Sequence, residues 1–403
     1  LALLATFYAA YCLAIFSSSA FEVSVPPALE DAALGLTAED VALALAAGQV
    51  ATVTGKLFCG FVVDARGASS AFWEALLLMS ALMLAGVGAL KLGFHSGALL
   101  SFFAYKLAKS AVWPSMCKAA KGAFDDQVFG RVWGVLVTSS RVGAVCGGLV
   151  LSPLVMLGWV WPALVVAVGL VAIAVLLRFQ TAGDGGKVGD TAEPGISMRE
   201  AVRVYGADRQ LALIVASEGM LLAVMDTSSL LPLYLHQQLG AEFDEAARLA
   251  SLFPLGMVVA VATSGFAFDV LSPMRRALML LVLGIGSAGS YALLAASSGG
   301  SMWSAGVLLF LGGGCFAPAK YLAPTIYVLE NVSEQHSGKV LALMDVPGYF
   351  ISAVFFKVYP SVVSAWGWPA VWRIISGMIL VSTACIVQQQ RLEAGPKRSC
   401  RTA

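Results

Sequence analysis

The chain has 403 residues, of which 59% are hydrophobic and only 12% are charged, and its mean hydropathy is +0.83. A soluble domain has about 45–50% apolar and about 25% charged residues, so the composition excludes a soluble globular, disordered or coiled-coil protein. The net charge of +1 argues against a nucleic-acid partner. The apolar runs are continuous and about 20 residues long, the length of a membrane-spanning helix.

Twelve apolar segments predict an all-α membrane protein with twelve transmembrane helices. The polar stretch 179–208, rich in Gly, Asp and Lys, predicts a linker between two six-helix bundles, 1–178 and 209–390, with a tail over 391–403. The predicted spans are 1–25, 41–63, 71–92, 97–120, 130–157, 161–178, 209–235, 248–268, 276–297, 302–328, 338–361 and 367–388.

The distribution of charge predicts an orientation in the membrane. Lys and Arg residues concentrate in one set of loops, in the linker and in the tail. Because basic loops stay on the cytosolic side, we expect both termini and the linker to be cytosolic. Two of the opposite loops are acidic and contain Glu30, Asp31, Glu39 and Asp40 in one loop and Glu242, Asp244 and Glu245 in the other.

The two halves of the chain resemble each other at a nearly constant spacing. GFVVD (60–64) matches GFAFD (265–269) at an offset of 205, and WPA occurs at 161–163 and at 368–370, an offset of 207. GRV at 130 and GKV at 338 match at an offset of 208. Matches in the same order indicate duplication of a six-helix unit, with both halves in one orientation around an axis along the membrane normal.

The segment GKLFCGFVVDARG (55–67), at the end of the second span, resembles the G-x-x-x-D-R-x-G signature of the major facilitator superfamily. Arg66 sits one residue beyond the usual basic position. A glycine permits close helix approach, and an aspartate can pair with a neighbouring helix end in one conformational state only. We interpret six residues as gating residues, the alternative being ordinary loop charge: Gly60, Asp64, Arg66, Gly265, Asp269 and Arg276.

Several segments resemble the organophosphate:phosphate antiporter branch of that superfamily, including YAAYCLAIF (8–16), VWPSMCKAAKGAF (112–124) and RVGAVCGG (141–148). That branch has two phosphate-clamping arginines, which correspond here to the region of Ile15 and to Val224. Paired guanidinium groups hold phosphate through bidentate hydrogen bonds, which aliphatic side chains cannot make. The phosphate site of the branch is therefore absent from its usual positions.

Ionisable residues inside the spans are the candidate site residues. Such a residue costs about 2.5–3.5 kcal/mol at mid-membrane on insertion scales, so it usually faces a cavity or the protein interior. The family resemblance places Arg141 at the position of a substrate-site histidine and the two first-span tyrosines on the cavity. The predicted substrate-binding residues are Arg141, Lys106, Lys109, Asp226, Lys320, Tyr8 and Tyr11.

The alternative for these charges is an interhelical salt-bridge network that holds the halves together, with Glu218 as a helix-end partner. Asp345 and Lys357 are twelve residues apart in the eleventh span, at opposite depths, so we do not expect them to pair.

We predict a secondary transporter that moves a small anionic or zwitterionic organic solute by alternating access, as an antiporter. The expected partners are this substrate, a coupling proton or counter-anion, and the lipid bilayer, and the expected state is a monomer. The sequence contains no GxxxxGK[ST], HExxH or GxSxG motif and no metal-type clustering of His or Cys, so we expect neither an enzyme nor a cofactor. Two alternatives stay open: a proton-coupled symporter of a neutral solute, with Asp226 or Glu218 as proton carrier, and a transporter-like sensor that binds without turnover.

Overall fold

The computed structural model describes residues 2–124, 126–182, 203–297, 301–332 and 334–394. These residues form α-helices joined by short turns, and no strand occurs among them, which confirms the predicted all-α fold. The first half contains α1 (Ala2–Glu30), α2 (Ala38–Arg66), α3 (Ala68–Lys91), α4 (His95–Ala123), α5 (Asp126–Val155) and α6 (Val160–Ala182).

The second half has more helices because two of its spans are interrupted. Its helices are α7 (Arg209–Asp226), α8 (Leu231–Leu239), α9 (Phe243–Ala250), α10 (Leu252–Val270), α11 (Pro273–Ala296), α12 (Met302–Asn331), α13 (Glu334–Trp366) and α14 (Trp368–Ala394). A 3₁₀ turn over Thr227–Leu230 joins α7 to α8, and these elements together form the seventh span. Helices α9 and α10 follow one another at Ser251 and form the eighth.

Eleven spans among the described residues are long and apolar enough to cross a membrane. The remaining one of the twelve is α4, which contains Lys106, Lys109, Lys118 and Lys121. These charges lower its mean hydropathy although its length, 29 residues, suffices to cross a bilayer. The multi-pass membrane character predicted from composition is confirmed, and the least apolar span is one that borders the candidate site.

The packing of the second half repeats that of the first. In the first half α1 packs against α5 and α6, α4 against α2 and α3, and α3 against α6. In the second half α7 packs against α13 and α14, α12 against α10 and α11, and α11 against α14. Each of these contacts is shifted by six spans from its counterpart, as the sequence repeat predicts.

Two hydrophobic cores correspond to these two sets of helices. One is built around residues such as Phe72 and Leu170 of the first half, and the other around residues such as Trp372 and Phe316 of the second. Glycines allow the closest helix approaches: a Cβ on Gly143 of α5 would lie 2.6 Å from the Cys12 carbonyl oxygen of α1. A Cβ on Gly313 would lie 2.3 Å from the Phe253 carbonyl oxygen, so α12 packs equally closely on α10.

Three sets of contacts join the halves around a central space. Helix α2 packs along α13, α5 packs against α9 and α10, and α1 contacts α8. At the end of the bundle opposite the termini, the Nε2 atom of His236 on α8 lies 2.6 Å from Oε1 of Glu30 on α1. The candidate site lies in the space that these helices enclose.

Candidate functional site

A cavity of about 180 Å³ lies between the two halves. Four of the predicted substrate-binding residues line it together: Lys106, Lys109, Arg141 and Asp226. A second carboxylate, Glu22 of α1, lines the same cavity and was not among the predicted residues. The remaining polar lining consists of Ser18, Ser19, Gln49, Ser228, Ser229 and Ser251.

The two lysines on α4 both face the cavity. They are three residues apart, and this spacing places them on similar sides of the helix. The Nζ atom of Lys109 donates a hydrogen bond to Oγ of Ser18 on α1. The Nζ atom of Lys106 lies 5.3 Å from the ring centroid of Phe102, a cation–π distance. Both ammonium groups interact electrostatically with Glu22 and Asp226. The two lysines and the two carboxylates therefore share one cavity.

Arg141 connects the halves at mid-helix. Its guanidinium carbon lies 4.2 Å from the ring centroid of Tyr321 on α12. One of its nitrogens approaches the Met225 sulfur at 3.8 Å, and the Tyr321 hydroxyl donates to the same sulfur at 2.8 Å. A thioether is a weak acceptor, so these contacts orient the guanidinium without neutralising it. These contacts of Arg141 include no carboxylate.

Asp226 lies where the seventh span is interrupted. It is the last residue of α7, and the 3₁₀ turn begins directly after it. Pro232 has no backbone N–H, so the Ser228 carbonyl loses its ordinary α-helical donor and instead accepts from the Leu231 N–H. Ser352 of α13 donates a hydrogen bond of 2.7 Å to Oδ2 of Asp226. The interruption thus presents Asp226 to the cavity with one oxygen already hydrogen-bonded.

Glu22 is the acidic group that the first half contributes. Ser229, in the 3₁₀ turn, donates a hydrogen bond of 3.0 Å to Oε1 of Glu22. The cavity therefore has three cationic side chains, all from the first half, and one carboxylate from each half. This arrangement can bind an anionic group strongly, and it can also accept a cationic group on the carboxylate side.

Lys320 is not part of the cavity lining. It is 6% exposed and forms an ion pair with Glu218 of α7, while its Nζ atom lies 3.9 Å from Oδ1 of Asp345 on α13. Asp345 in turn pairs with Lys56 of α2. We call these four residues, Glu218, Lys320, Asp345 and Lys56, the charge chain. Negative and positive side chains alternate along the charge chain, and its last residue, Lys56, belongs to the first half of the molecule.

The predicted tyrosines occupy different environments. The Tyr11 ring packs against Trp113 of α4 with centroids 4.9 Å apart. The Tyr8 hydroxyl lies 3.1 Å from the Thr138 hydroxyl of α5 in an exposed setting. Neither tyrosine lines the 180 Å³ cavity, so their role as substrate ligands stays a prediction.

The predicted gating arginines make contacts with neighbouring helices. Arg66 lies 2.9 Å from the Glu74 carboxylate on α3, and Arg276 lies 3.9 Å from the Glu393 carboxylate on α14. At Gly265, an added Cβ would have no heavy atom within 4 Å. The side-chain surroundings of the other three gating residues, Gly60, Asp64 and Asp269, lie outside the part of the chain that the structure describes.

Sequence reasoning missed Glu22 and Lys56, although the rule that found Lys106 applies to both. Each is an ionisable residue inside a predicted apolar span, 1–25 or 41–63. The partners Tyr321, Met225 and Ser352 had no comparable signal, because such residues are common in membrane helices. Asp345 was considered only against Lys357 of the same span, whereas its partners lie on α2 and α12.

Within the described residues there is no group of three or more His, Cys, Asp or Glu side chains that could hold a metal ion. The side chains that line the cavity provide ammonium, guanidinium, carboxylate, amide and hydroxyl groups.

The chain resembles several solved structures of transporters. The chain resembles the nucleoside transporter NupG (TM-score 0.73, 14% identity, 96% of this chain and 99% of that chain). It resembles a peptide transporter POT in complex with sulfate (TM-score 0.76, 15% identity, 97% of this chain and 95% of that chain). It also resembles a bacterial homologue of the human lysosomal transporter Spinster, solved in an inward-facing and unoccupied conformation (TM-score 0.71, 13% identity, 98% of this chain and 98% of that chain).

At these identities the likeness establishes the fold alone. No curated protein matches the sequence significantly. The family model of the Major Facilitator Superfamily matches residues 7–357, and it represents the superfamily as a whole. The narrower resemblance to the organophosphate:phosphate antiporters stays a prediction, and the chain belongs to the major facilitator superfamily.

Proposed function

We propose that this protein is a secondary transporter that moves a small anionic or zwitterionic organic solute across a membrane by alternating access. One observation supports it most directly: a single cavity between two repeated halves is lined by Lys106, Lys109 and Arg141 together with Glu22 and Asp226. Membership of the superfamily supports the transporter class. Both termini face the cytosol in this proposal, as the basic loops predict.

The excess of cationic side chains supports an anionic group on the solute. A buried charge without a partner is strongly destabilising, so a cavity with surplus cations favours a counter-charge. Arg141 is the best candidate ligand, because its guanidinium stacks on Tyr321 and also contacts a thioether sulfur, neither of which neutralises its charge. Its planar fork would receive a carboxylate or a phosphate through two parallel hydrogen bonds.

The two carboxylates support a zwitterion in particular. Glu22 and Asp226 each accept one serine hydrogen bond in the described structure, which leaves further acceptor sites for a solute ammonium group. In this arrangement the solute's anionic end meets the first half of the molecule, and its cationic end meets the seventh span. A rocking motion that separates the halves would then weaken both contacts together.

The phosphate site of the organophosphate carriers fits this geometry at one of its two positions only. Ile15 lines the cavity, so an arginine at this position would reach a bound phosphate. Val224, at the second predicted clamp position, is 0% exposed and belongs to the hydrophobic core. A phosphate ester is therefore a less favoured solute than a carboxylate.

A second candidate is proton-coupled symport. Glu218 is 4% exposed and its Oε2 atom has no hydrogen-bond partner among the described residues, while its Oε1 atom pairs with Lys320. A buried carboxylate with one unsatisfied oxygen is a candidate proton acceptor. This alternative requires uptake to be driven by a pH gradient and to survive loss of Arg141.

The experiment is uptake by purified protein in liposomes, with counterflow of labelled carboxylates, phosphate esters, amino acids, amines and sugars. We expect saturable counterflow of an anionic or zwitterionic class and its loss in Arg141→Ala. Arg178→Ala is the matched control, because that arginine also stacks on an aromatic ring, Trp73 at 5.2 Å, but does not line the cavity. Undiminished counterflow in Arg141→Ala would refute the proposal.

A further inference from the structure

A second cavity lies inside the first half, on the other side of α1 and α4 from the central one. Its volume is about 280 Å³, and it is enclosed by α1, α2, α3, α4 and the start of α6. We call it the lateral pocket and define it by Phe21, Asp40, Leu43, Gly86, His95 and Phe102. Its size is near the lower limit of small-molecule sites, about 300 Å³.

Helices α1 and α4 form the wall between the two cavities. The rings of Phe21 and Phe102 stack with centroids 4.4 Å apart and line the lateral pocket. Glu22, the next residue after Phe21, and Lys106, one turn beyond Phe102, line the central cavity instead. The lateral pocket is therefore a separate site, because the aromatic pair separates it from the charged residues of the proposed transport site.

The body of the lateral pocket is apolar and reaches the outer surface of the bundle. Its walls include Leu82, Met83, Val87 and Leu99. Leu43, which also lines it, is 42% exposed. In a membrane-spanning bundle, an exposed leucine on α2 faces the lipid tails. A ligand would accordingly enter sideways from the bilayer, with an apolar chain that replaces lipid contacts by contacts with these side chains.

One end of the pocket is polar, and it lies where helices begin. Asp40 is in the first turn of α2, His95 is the first residue of α4, and Trp159 immediately precedes α6. Tryptophan is enriched at the membrane–water interface, which places this end at the level of lipid headgroups. The pocket thus has the polarity of an amphiphile, with a long apolar part and a polar end at the interface.

The polar end favours a cationic group. The His95 Nε2 atom lies 2.8 Å from the Leu34 carbonyl oxygen, which only accepts, so the ring donates there. Within the part of the chain that the structure describes, Asp40 is the one acidic residue of the lining, and its carboxylate accepts from the Thr37 backbone N–H and hydroxyl. Deeper in the pocket, the buried Ser24 hydroxyl has no hydrogen-bond partner among the described residues.

We propose that the lateral pocket binds a single-chain amphiphile with a cationic amine head, taken from the bilayer. The chain lies between α2 and α3, next to Leu43 and Gly86, and the ammonium group pairs with Asp40. This site is separate from the solute site in the central cavity, and its ligand would be lipid-soluble.

The test measures binding of radiolabelled dodecylamine to the full chain in nanodiscs of neutral phosphatidylcholine, with empty nanodiscs as background and dodecanoate as the anionic counterpart. We expect saturable binding of the amine, with at least about tenfold weaker binding of the carboxylate. Equal affinity for the two chains would overturn the assignment of a cationic head.

A matched pair of variants on α3 tests the location. A Cβ on Gly86 would meet only Ser101 at 3.5 Å, an ordinary contact, so Gly86→Leu fills the pocket without a clash at Cβ. Gly88→Leu is the control, since no heavy atom lies within 4 Å of a Cβ there and Gly88 does not line the pocket. We expect the amine affinity to fall at least about tenfold in Gly86→Leu and to stay unchanged in Gly88→Leu.

A third variant keeps the proposal testable if Gly86→Leu fails to fold. Asp40→Asn retains an acceptor for the Thr37 N–H but removes the charge, so it should weaken binding of dodecylamine and not of dodecanoate. Amine binding that is unaffected by both Gly86→Leu and Asp40→Asn would refute the site.

Discussion

Lys56 on α2 and Asp345 on α13 form an ion pair that joins the two halves of the molecule across 289 residues of sequence. The Lys56 ammonium also lies 4.8 Å from the ring centroid of Tyr349, one turn further along α13. Asp345 approaches Lys320, and Lys320 pairs with Glu218. The contact between the halves is therefore continuous with a buried network inside the second half, and motion of one half against the other would disturb both.

The first prediction concerns this pair as a lock between the halves. Lys56→Ala and Asp345→Ala should each lower solute uptake about tenfold, the equivalent of roughly 1.4 kcal/mol, because each removes the ion pair between the halves. The double variant Lys56→Ala with Asp345→Ala should lose no more uptake than the single variants do, since either substitution already breaks the pair. Liposome uptake of the three variants and the wild type measures the coupling.

The control for this experiment is the ion pair of Arg248 and Asp244, which are four residues apart on α9. The Nη2 atom of Arg248 lies 2.6 Å from Oδ2 of Asp244. An exposed pair of this type contributes little, so Asp244→Ala, Arg248→Ala and their double variant should leave uptake unchanged. Losses of uptake that add up in the Lys56–Asp345 double variant would show that the pair does not act as a unit.

The second prediction separates stability from transport at Glu218 and Lys320, whose side chains are each 5% exposed. Glu218→Gln should destabilise the protein by about 3–5 kcal/mol, because it replaces the carboxylate that pairs with the buried Lys320 by a neutral amide. Asp345, at 3.9 Å, is then the remaining carboxylate near Lys320. The double variant Glu218→Leu with Lys320→Met should recover most of this stability, since it removes both charges. Thermal unfolding in detergent measures the stability, and Asp244→Asn provides the comparison with an exposed pair.

Uptake by the same double variant then distinguishes two roles. A stable double variant that transports normally assigns Glu218 and Lys320 to structure alone. A stable double variant without uptake shows that the charge chain takes part in the transport cycle.

The fold was predictable because hydropathy reports helix length and position directly, and the helix order follows from the repeat. Charged residues such as Lys109 and Arg141 were identifiable because a charge inside an apolar run is conspicuous. Their depth along a helix is readable from residue number, but rotation about the helix axis is not. Lys320 lies at a suitable depth and nevertheless faces Glu218 instead of the cavity, which only the packing of α12 against its neighbours determines.

Partners across the halves were unpredictable for a related reason. Arg141 and Tyr321 meet because α5 and α12 approach each other in three dimensions, and nothing in either segment encodes the other. The interruption after Asp226 had a local signal, Pro232, whose missing N–H prevents a continuous helix. The hydropathy window averages over such a feature, so it predicted one span over 209–235 and did not locate the turn.

The third prediction concerns the selectivity of the central cavity. Asp226→Asn and Glu22→Gln each remove one negative charge, so both should lower the affinity for a zwitterion and raise or preserve the affinity for a simple carboxylate. The ratio of the two affinities, measured by thermal shift and by counterflow, should change by about tenfold for a lost charge-assisted contact of roughly 1.4 kcal/mol. Glu30→Gln is the control, because this exposed carboxylate pairs with His236 and does not line the central cavity. A parallel change for both solutes would contradict an ammonium-binding role.

The fourth prediction uses the two positions at which the resembling phosphate carriers have arginines. Ile15→Arg adds a guanidinium to a cavity that already has Arg141, Lys106 and Lys109, so it should increase binding of organic phosphates and decrease binding of a zwitterion. Val224→Arg should instead destabilise the fold, because Val224 is 0% exposed in the hydrophobic core and a charge there would have no partner. The measurement is a thermal-shift titration with a sugar phosphate, a carboxylate and an amino acid on each variant.

Ile15→Lys provides the matched cation without the planar fork, and it should raise phosphate affinity less than Ile15→Arg does. Equal phosphate binding by wild type and Ile15→Arg would show that Ile15 does not face the bound solute.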